Sequence, residues 1–400
     1  MRVVVAPDKF EGSLTAGQAA QAIQAGLLRA RPDAEVIALP LGDGGAGTLE
    51  ALVASGFERV PVLASGPTGE PVEATIAVQG LSLGPACRPT RSDPARLTAR
   101  HRDTRARVAF VEMAEASGLK RLPGGRRAPL EATSYGTGEL LRAALDRGVR
   151  KLVLGVGGSA TTDGGAGMAA ALGARFLDDA GAELPPGGAA LLRLARVDTA
   201  GLDPRLRDVE VTVAADVDNP LVGPEGAAHV FGPQKGAGPD DVLLLDSALR
   251  RYARVLAADL GIDLAATPGA GAAGGLGAGA IAFLGARIRS GIELVLELVG
   301  FDRAVVTADL VVTGEGKLDT QSLRGKAPVG VARAATAHGV PVVALAGVIE
   351  VAARELRAAG FEEAHALTEL ESDPARSMAE AAPLLERLAE RVGRTWATLP

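Results

Sequence analysis

The 400-residue chain has a single cysteine, Cys87, which excludes an intramolecular disulfide and any multi-cysteine zinc site. Its four histidines, His101, His229, His338 and His365, are scattered and form no metal-spaced pair. Aromatic residues make up only 3%, leaving few platforms on which single-stranded nucleic acid could stack. Neither sign of charge dominates: 42 basic against 48 acidic residues give −6, a poor balance for a dedicated nucleic-acid binder. The N-terminal apolar run at Val3–Ala6 is too short for a signal-peptide core and reads as a buried strand ending in a turn. One stretch, 264–286, carries no charge over 23 residues, which is long enough to span a bilayer. Its Pro268 and seven glycines fit a buried loop running into a tightly packed helix instead. The expectation is a cytoplasmic protein with no nucleic-acid and no membrane partner.

What is abundant is glycine, 52 residues, in a chain that is 47% hydrophobic. Such apolar content argues against disorder, the lack of a G-X-Y period argues against collagen, and the length suits two or three domains. At both ends strand-like and helix-like runs alternate: Val3–Ala6, Thr15–Arg29, Val36–Leu39 and Ala46–Ser55, then Leu310–Thr313, Val329–Ala337, Val342–Ala346 and Val351–Ala359. That is the signature of a parallel sheet covered by helices. Between the ends, Val60–Val78 suits antiparallel hairpins around Gly66-Pro67 and Gly69. Val108–Met113, Leu152–Val156 and Val209–Ala214 read as further strands, with helices near Thr137–Arg147, Gly164–Leu172 and Asp240–Leu260. The predicted fold class is α/β. A Rossmann-like parallel-sheet domain is built from both chain ends (1–65 plus 290–400), and a mixed α/β domain is inserted (66–289). Residues 88–107 hold seven arginines against Asp93 and Asp103 and read as a solvated loop with no catalytic role.

Six segments join glycine to charged or hydroxyl residues at strand ends, where open α/β sheets place ligands. They are Pro7–Leu14, Gly42–Thr48, Gly157–Gly165, Asp216–Pro220, Phe231–Ala237 and Gly314–Gln321, the last running on to Lys326. Any one of them alone is also what a tight strand connection looks like. Together they say more. The loop Gly157–Gly165 follows a strand and opens a helix, so its backbone N–H groups can hold an anion that glycine lets approach closely. Asp43, Asp163, Asp216 and Asp319 are hard oxygen ligands of the kind Mg²⁺ takes beside phosphate oxygens, although side-chain capping of turns also explains Asp216, Asp218 and Asp319. No G-x-x-x-x-G-K-[ST] loop occurs, so an ordinary P-loop NTPase is excluded.

Lysine usage sharpens the pattern. The chain has 36 arginines but only six lysines, and four of these, Lys9, Lys235, Lys317 and Lys326, fall inside the glycine segments, while Lys120 and Lys151 lie elsewhere. A composition that writes nearly every cation as arginine keeps the compact ammonium where a point charge can meet a phosphate.

These motifs, in this order, resemble glycerate kinases of the bacterial type. The resemblance runs from Ala6-Pro7-Asp8-Lys9-Phe10 to Gly347 and is most specific over Gly155–Met168, Asp216–Lys235, Gly271–Gly277 and Thr313–Pro328. It implies a two-domain α/β kinase, with its active site in the interdomain cleft, that uses ATP and Mg²⁺ to make 2-phosphoglycerate, or less often 3-phosphoglycerate. Three positions depart from the family's pattern: Glu11 where a basic residue is common, Ala46 where Glu is common, and Thr162 where Asn is usual. The arginine-rich segment is also longer than the family's usual connection.

The chemistry is then in-line attack of a glycerate hydroxyl on the γ-phosphorus, with a carboxylate accepting the hydroxyl proton. Asp43 or Asp163 is the candidate base, the other orienting Mg²⁺. Lys9 and Lys235 would neutralise phosphate oxygens. Gly157, Gly158, Ser159, Gly314, Glu315 and Lys326 would contact ATP, and Asp216 and Asp319 the metal. Lys326 or Ser13 could instead meet the glycerate carboxylate. Two rival functions explain part of the pattern: a nicotinamide-dependent hydroxy-acid dehydrogenase and a non-catalytic two-domain solute binder. The first lacks a G-x-G-x-x-G after the first strand, and the second has no need of so many carboxylates.

Overall fold

The computed structural model describes residues 1–79 and 107–396, so Cys87, His101 and nearly all of the arginine-rich segment lie outside the described residues. In chain order the strands are β1 (Arg2–Pro7), β2 (Glu35–Ala38), β3 (Glu58–Ser65), β4 (Pro71–Val78), β5 (Val108–Glu112), β6 (Lys151–Gly155), β7 (Arg175–Leu177), β8 (Arg196–Asp198), β9 (Glu210–Ala214), β10 (Arg287–Arg289), β11 (Leu310–Leu318), β12 (Val342–Ile349) and β13 (Glu363–Ala366). The chain forms two compact units. The first contains 1–55, 214–216 and 289–400, and the second 56–213 and 217–288. The first break falls before β3 rather than at 65 because β3 pairs antiparallel with β4 along its whole length, from Glu58–Val78 to Ser65–Pro71.

The first unit is a five-stranded parallel sheet in the order β2-β1-β11-β12-β13. Its central strands are continuous apolar runs because both faces are covered. Val3, Val5, Val312 and Leu345 face Ile23, Leu27, Leu384, Leu388 and Trp396 on one side. Val4, Val311 and Val342 face Leu41, Val295, Val329 and Phe361 on the other. The helix Ala16–Ala30 opens on a capping box, with Thr15 accepting from the Gln18 N–H and Gln18 reaching back to the Thr15 N–H. It lies close against the helix Ala381–Thr395. A Cβ on Gly26 would stand 2.1 Å from the Glu386 carbonyl oxygen, so only glycine permits that approach.

This strand order reverses direction between β1 and β11. The chain leaves β1 for β2 on one side, and leaves β11 for β12 on the other. Ligands of open α/β sheets sit outside the strand carboxyl ends at such a reversal. β11 runs to Leu318, five residues past the expected end at Thr313. Gly314, Glu315 and Gly316 are therefore extended backbone inside the sheet, not a turn. A Cβ on Gly314 would fall 1.9 Å from the Leu345 carbonyl oxygen, so that glycine is explained by packing against the next strand.

The second unit carries a six-stranded mixed sheet, β10-β9-β6-β5-β4-β3, and a small β7-β8 ribbon. The antiparallel pairing expected over Val60–Val78 is present, and β5 joins β6 in parallel. The uncharged 264–286 stretch forms a helix at Ala272–Leu284 that is buried over most of its length. Among the described residues no helix is long and apolar enough to cross a membrane.

Candidate active site

In the first unit a cavity of about 430 Å³ opens at the β1/β11 reversal, on the carboxyl side of the sheet. The register Pro7–Gly314, with the Asp8 N–H donating to the Gly314 carbonyl (2.8 Å), sets Asp8 and Glu315 at the tips of neighbouring strands. Asp43, from the loop after β2, and Asp319 and Lys326, from the segment after β11, line the same cavity together with Lys9 and Ser13. Asp8 lies in the Pro7–Leu14 segment, whose pattern alone assigns it no role. Its signal was position: it is the first acid after a buried strand.

Asp8 is only 6% exposed and Glu315 only 7%. Burial pushes the Asp8 carboxyl up to about 6, against the pull of Lys9 and with help from Asp43. Burial likewise lifts Glu315 to about 7, opposed by the Ser322 hydroxyl and Lys326. Glu315 Oε1 has no hydrogen-bond partner among the described residues. An unpartnered buried carboxylate oxygen is costly, and a cation or a proton at that oxygen would remove the cost. Asp319, by contrast, is half-buried. Its Oδ1 accepts from Ser322 N (3.0 Å) and Gln321 N (2.9 Å), and the first of these is the main reason its carboxyl sits below the ordinary range.

Asp43 is half-buried and fixed by its own loop. Oδ1 accepts the Gly45 N–H (3.0 Å), and Oδ2 makes no hydrogen bond among the described residues. The Lys9 ammonium donates to the Ala46 carbonyl (2.9 Å) and stands 3.9 Å from Glu11. Lys317 pairs with Glu350 at 2.8 Å on the surface. Asp216 does not line the cavity. Its Oδ1 accepts the Gly291 N–H (3.0 Å), and burial raises its carboxyl.

The remaining predicted residues belong to the second unit. Asp163 is buried and surrounded by donors: Ser134 N (2.7 Å), Ser134 Oγ (2.9 Å) and Gly167 N (3.2 Å) on Oδ2, and Gly165 N (3.1 Å) on Oδ1. Two N–H groups at the start of the helix Ala166–Ala171, which the glycine pattern makes candidates for a phosphate, are thus taken by Asp163 itself. Ser159 Oγ is also occupied, contacting the carbonyls of Thr161 and Ala273 (both 3.3 Å). Gly158 lies in the left-handed region at φ +75° beside Gly157.

Lys235 is 1% exposed, and its ammonium donates to the Thr161 carbonyl. Burial pulls it down to about 7, with Asp163 pulling the other way. A Cβ on Gly274 would stand 2.8 Å from this Nζ, so the lysine is walled in by glycine backbone. Tyr252 OH and Thr162 Oγ1 lie buried without partners among the described residues.

The residues that line the cavity fit a divalent cation in one specific way. Asp8, Asp43, Glu315 and Asp319 supply hard oxygens, and Glu315 Oε1 is unpartnered. Yet among the described residues no three acids, histidines or cysteines are close enough to cage a metal by themselves. Such a set suits an ion that arrives with phosphate oxygens and takes only one or two protein ligands, as Mg²⁺ does.

The family model described as "Glycerate kinase family" matches residues 3–397. The chain is 44% identical over 391 residues to the glycerate kinase of Halalkalibacterium halodurans, covering 98% of this chain and 97% of that protein. It is 44% identical over 349 residues to the glycerate 2-kinase of Escherichia coli, covering 87% and 85%. A solved structure from Salmonella typhimurium LT2, itself a candidate glycerate kinase 2, superposes with a TM-score of 0.84 at 42% identity, covering 99% and 98% of the two chains. The chain belongs to the glycerate kinase family and is an enzyme that phosphorylates glycerate.

Proposed function

We propose that the phosphoryl donor is ATP with Mg²⁺ and that the product is 2-phosphoglycerate. The observation that carries this reading is the cavity at the β1/β11 reversal, which gathers Asp8, Asp43, Glu315 and Asp319 with Lys9 and Lys326 in one unit. The name of the Escherichia coli relative, a glycerate 2-kinase, supports the 2-position. In this reading Asp8, Glu315 and Asp319 would hold the cation, which would neutralise phosphate charge. Asp216, outside the cavity, orders the Gly291 turn.

The base in this reading is Asp43 rather than Asp163. Asp43 Oδ2 is open and on the cavity wall, whereas both oxygens of Asp163 are bonded to the loops they tie together. The glycerate C2 hydroxyl oxygen attacks the γ-phosphorus, its proton passes to Asp43, and the bond from γ-phosphorus to the bridging oxygen breaks toward ADP. Lys9 and Lys326 offset the charge that collects on the phosphoryl oxygens. Asp163, Lys235 and Ser159 shape the glycine loops of the second unit. The reaction suits a cytoplasmic setting, where ATP is available.

The test is ADP release by the purified protein, expected only when Mg²⁺ or Mn²⁺ and glycerate are both present. Phosphorus–proton coupling in the product then assigns the hydroxyl. Equal ADP release without any hydroxy acid would make the protein an ATPase, and NAD binding without transfer would restore the dehydrogenase.

A further inference from the structure

The cavity of the first unit has two unlike halves. Around β1 and β11 it is charged, whereas the lining from the end of β12 and the segments after β13 is mostly apolar, with Val348, Leu367, Pro374, Met378 and Ala381 beside the hydroxyls of Thr368 and Ser377. Glycerate has three carbons, each bearing oxygen, so it has nothing to set against that wall. Phosphates do not either. From β1 to β13 is three strand intervals, roughly 14 Å at the usual spacing. The volume of about 430 Å³ falls in the range of sites for drug-sized ligands, far above a three-carbon acid.

Met378 is the telling residue. It stands on the short helix Pro374–Ala379, is 51% exposed, and forms part of the cavity wall. A Cβ on Gly12 would come within 2.9 Å of its methyl carbon, which places that methyl against the loop following β1. Thioethers accommodate flat aromatic faces well. A large apolar side chain left open beside a charged cavity is explained if a ligand covers it.

We propose that the apolar half, with Leu367, Pro374 and Met378 as its centre, seats the base of the nucleoside triphosphate donor, while the phosphates lie over β1 and β11. This rests on the kinase reading above and adds the orientation of the donor and the residues that hold its base.

The chain has four methionines, Met1, Met113, Met168 and Met378, so methyl-¹³C-methionine labelling of the intact protein gives few resonances. Met113 and Met168 are buried in the second unit. MgADP should move the Met378 methyl upfield through the adenine ring current and leave Met113 and Met168 in place. Inorganic tripolyphosphate at saturation should not move it. Met378→Ala, at an exposed position, assigns the signal. It should weaken ADP by about tenfold in calorimetry with no change for tripolyphosphate. ADP that binds in calorimetry without touching the Met378 methyl overturns the proposal. So does a Met378 shift caused by glycerate alone, which would make the apolar half the acid's site. A protein that shows the Met378 shift with ADP but transfers no phosphoryl group keeps the base site and loses the kinase reading. Failure to bind ADP at all refutes both.

Discussion

Glu315→Gln tests the energetics of the cavity directly. Glu315 is 7% exposed, one carboxylate oxygen is unpartnered, and its carboxyl is raised from 4.5 to about 7, chiefly by burial. A displacement of about 2.5 pH units corresponds to about 3 kcal/mol. The sign follows from proton uptake. Between 4.5 and about 7 the folded protein holds a proton that the unfolded chain has lost, so stability falls as pH rises through that window. Glutamine keeps the shape without the charge. In metal-free buffer the variant should match the wild type near pH 4.5 and exceed it by about 3 kcal/mol above pH 7.5, or roughly 6–12 °C in Tm for a unit of this size. The only tryptophan, Trp396, is buried in the core of the same unit, so its fluorescence in urea reports the relevant unfolding. Mg²⁺ with ADP should stabilise the wild type more than the variant, and kcat should fall by about 10²-fold or more if this carboxylate serves the cation. Parallel stability-versus-pH curves for the two proteins would refute the reasoning, since Glu315 would then titrate like an ordinary surface acid.

Three further outcomes follow from the second unit. A lysine ¹³Cε signal should titrate near pH 7 and be absent in Lys235→Met; finding no lysine signal that titrates in that range would contradict the burial of Lys235. Because its folded value lies below the ordinary 10.5, stability should rise with pH between about 7 and 10.5, and this rise should be lost in the methionine variant. Asp163→Asn turns an amide toward N–H donors and should cost about 2–3 kcal/mol, read as a lower urea midpoint; full stability with kcat abolished would instead make Asp163 the base. Ala273 is the only non-glycine residue with positive φ (+53°) among the described residues, and Ala273→Gly should raise the unfolding free energy by about 0.5–1 kcal/mol, read as a higher urea midpoint; a loss would show that the methyl's packing outweighs the strain.

Much of this protein was legible one residue at a time. The alternation of β-branched runs with capped helices marks β1, β2, β11 and β12, because a strand buried on both faces must be apolar throughout. The glycine segments and the clustering of lysines among them marked the chemistry. Local pattern also carried errors. Gly314–Gly316 reads as a loop by composition, yet it is strand, since its glycines answer to Leu345 and Phe10 on neighbouring backbone, contacts that no sequence window contains. Asp43 and Asp163 were equivalent on paper, each an acid beside paired glycines. The fold separates them by giving Asp163 five donors from two segments and Asp43 only the Gly45 N–H.

The sequence by itself therefore determined the α/β class, the family and the kind of chemistry, because these rest on periodicity and short motifs. The tertiary structure alone decided which groups share a cavity. Asp8 and Glu315 are 307 residues apart and become neighbours only through the β1–β11 register. Leu367, Pro374 and Met378 carry no motif at all, and they gain meaning only because the sheet order β2-β1-β11-β12-β13 sets their segment beside the acids. Burial, which raises two of those acids and lowers Lys235, is likewise a property of packing. No run of residues states how much water its side chains will keep.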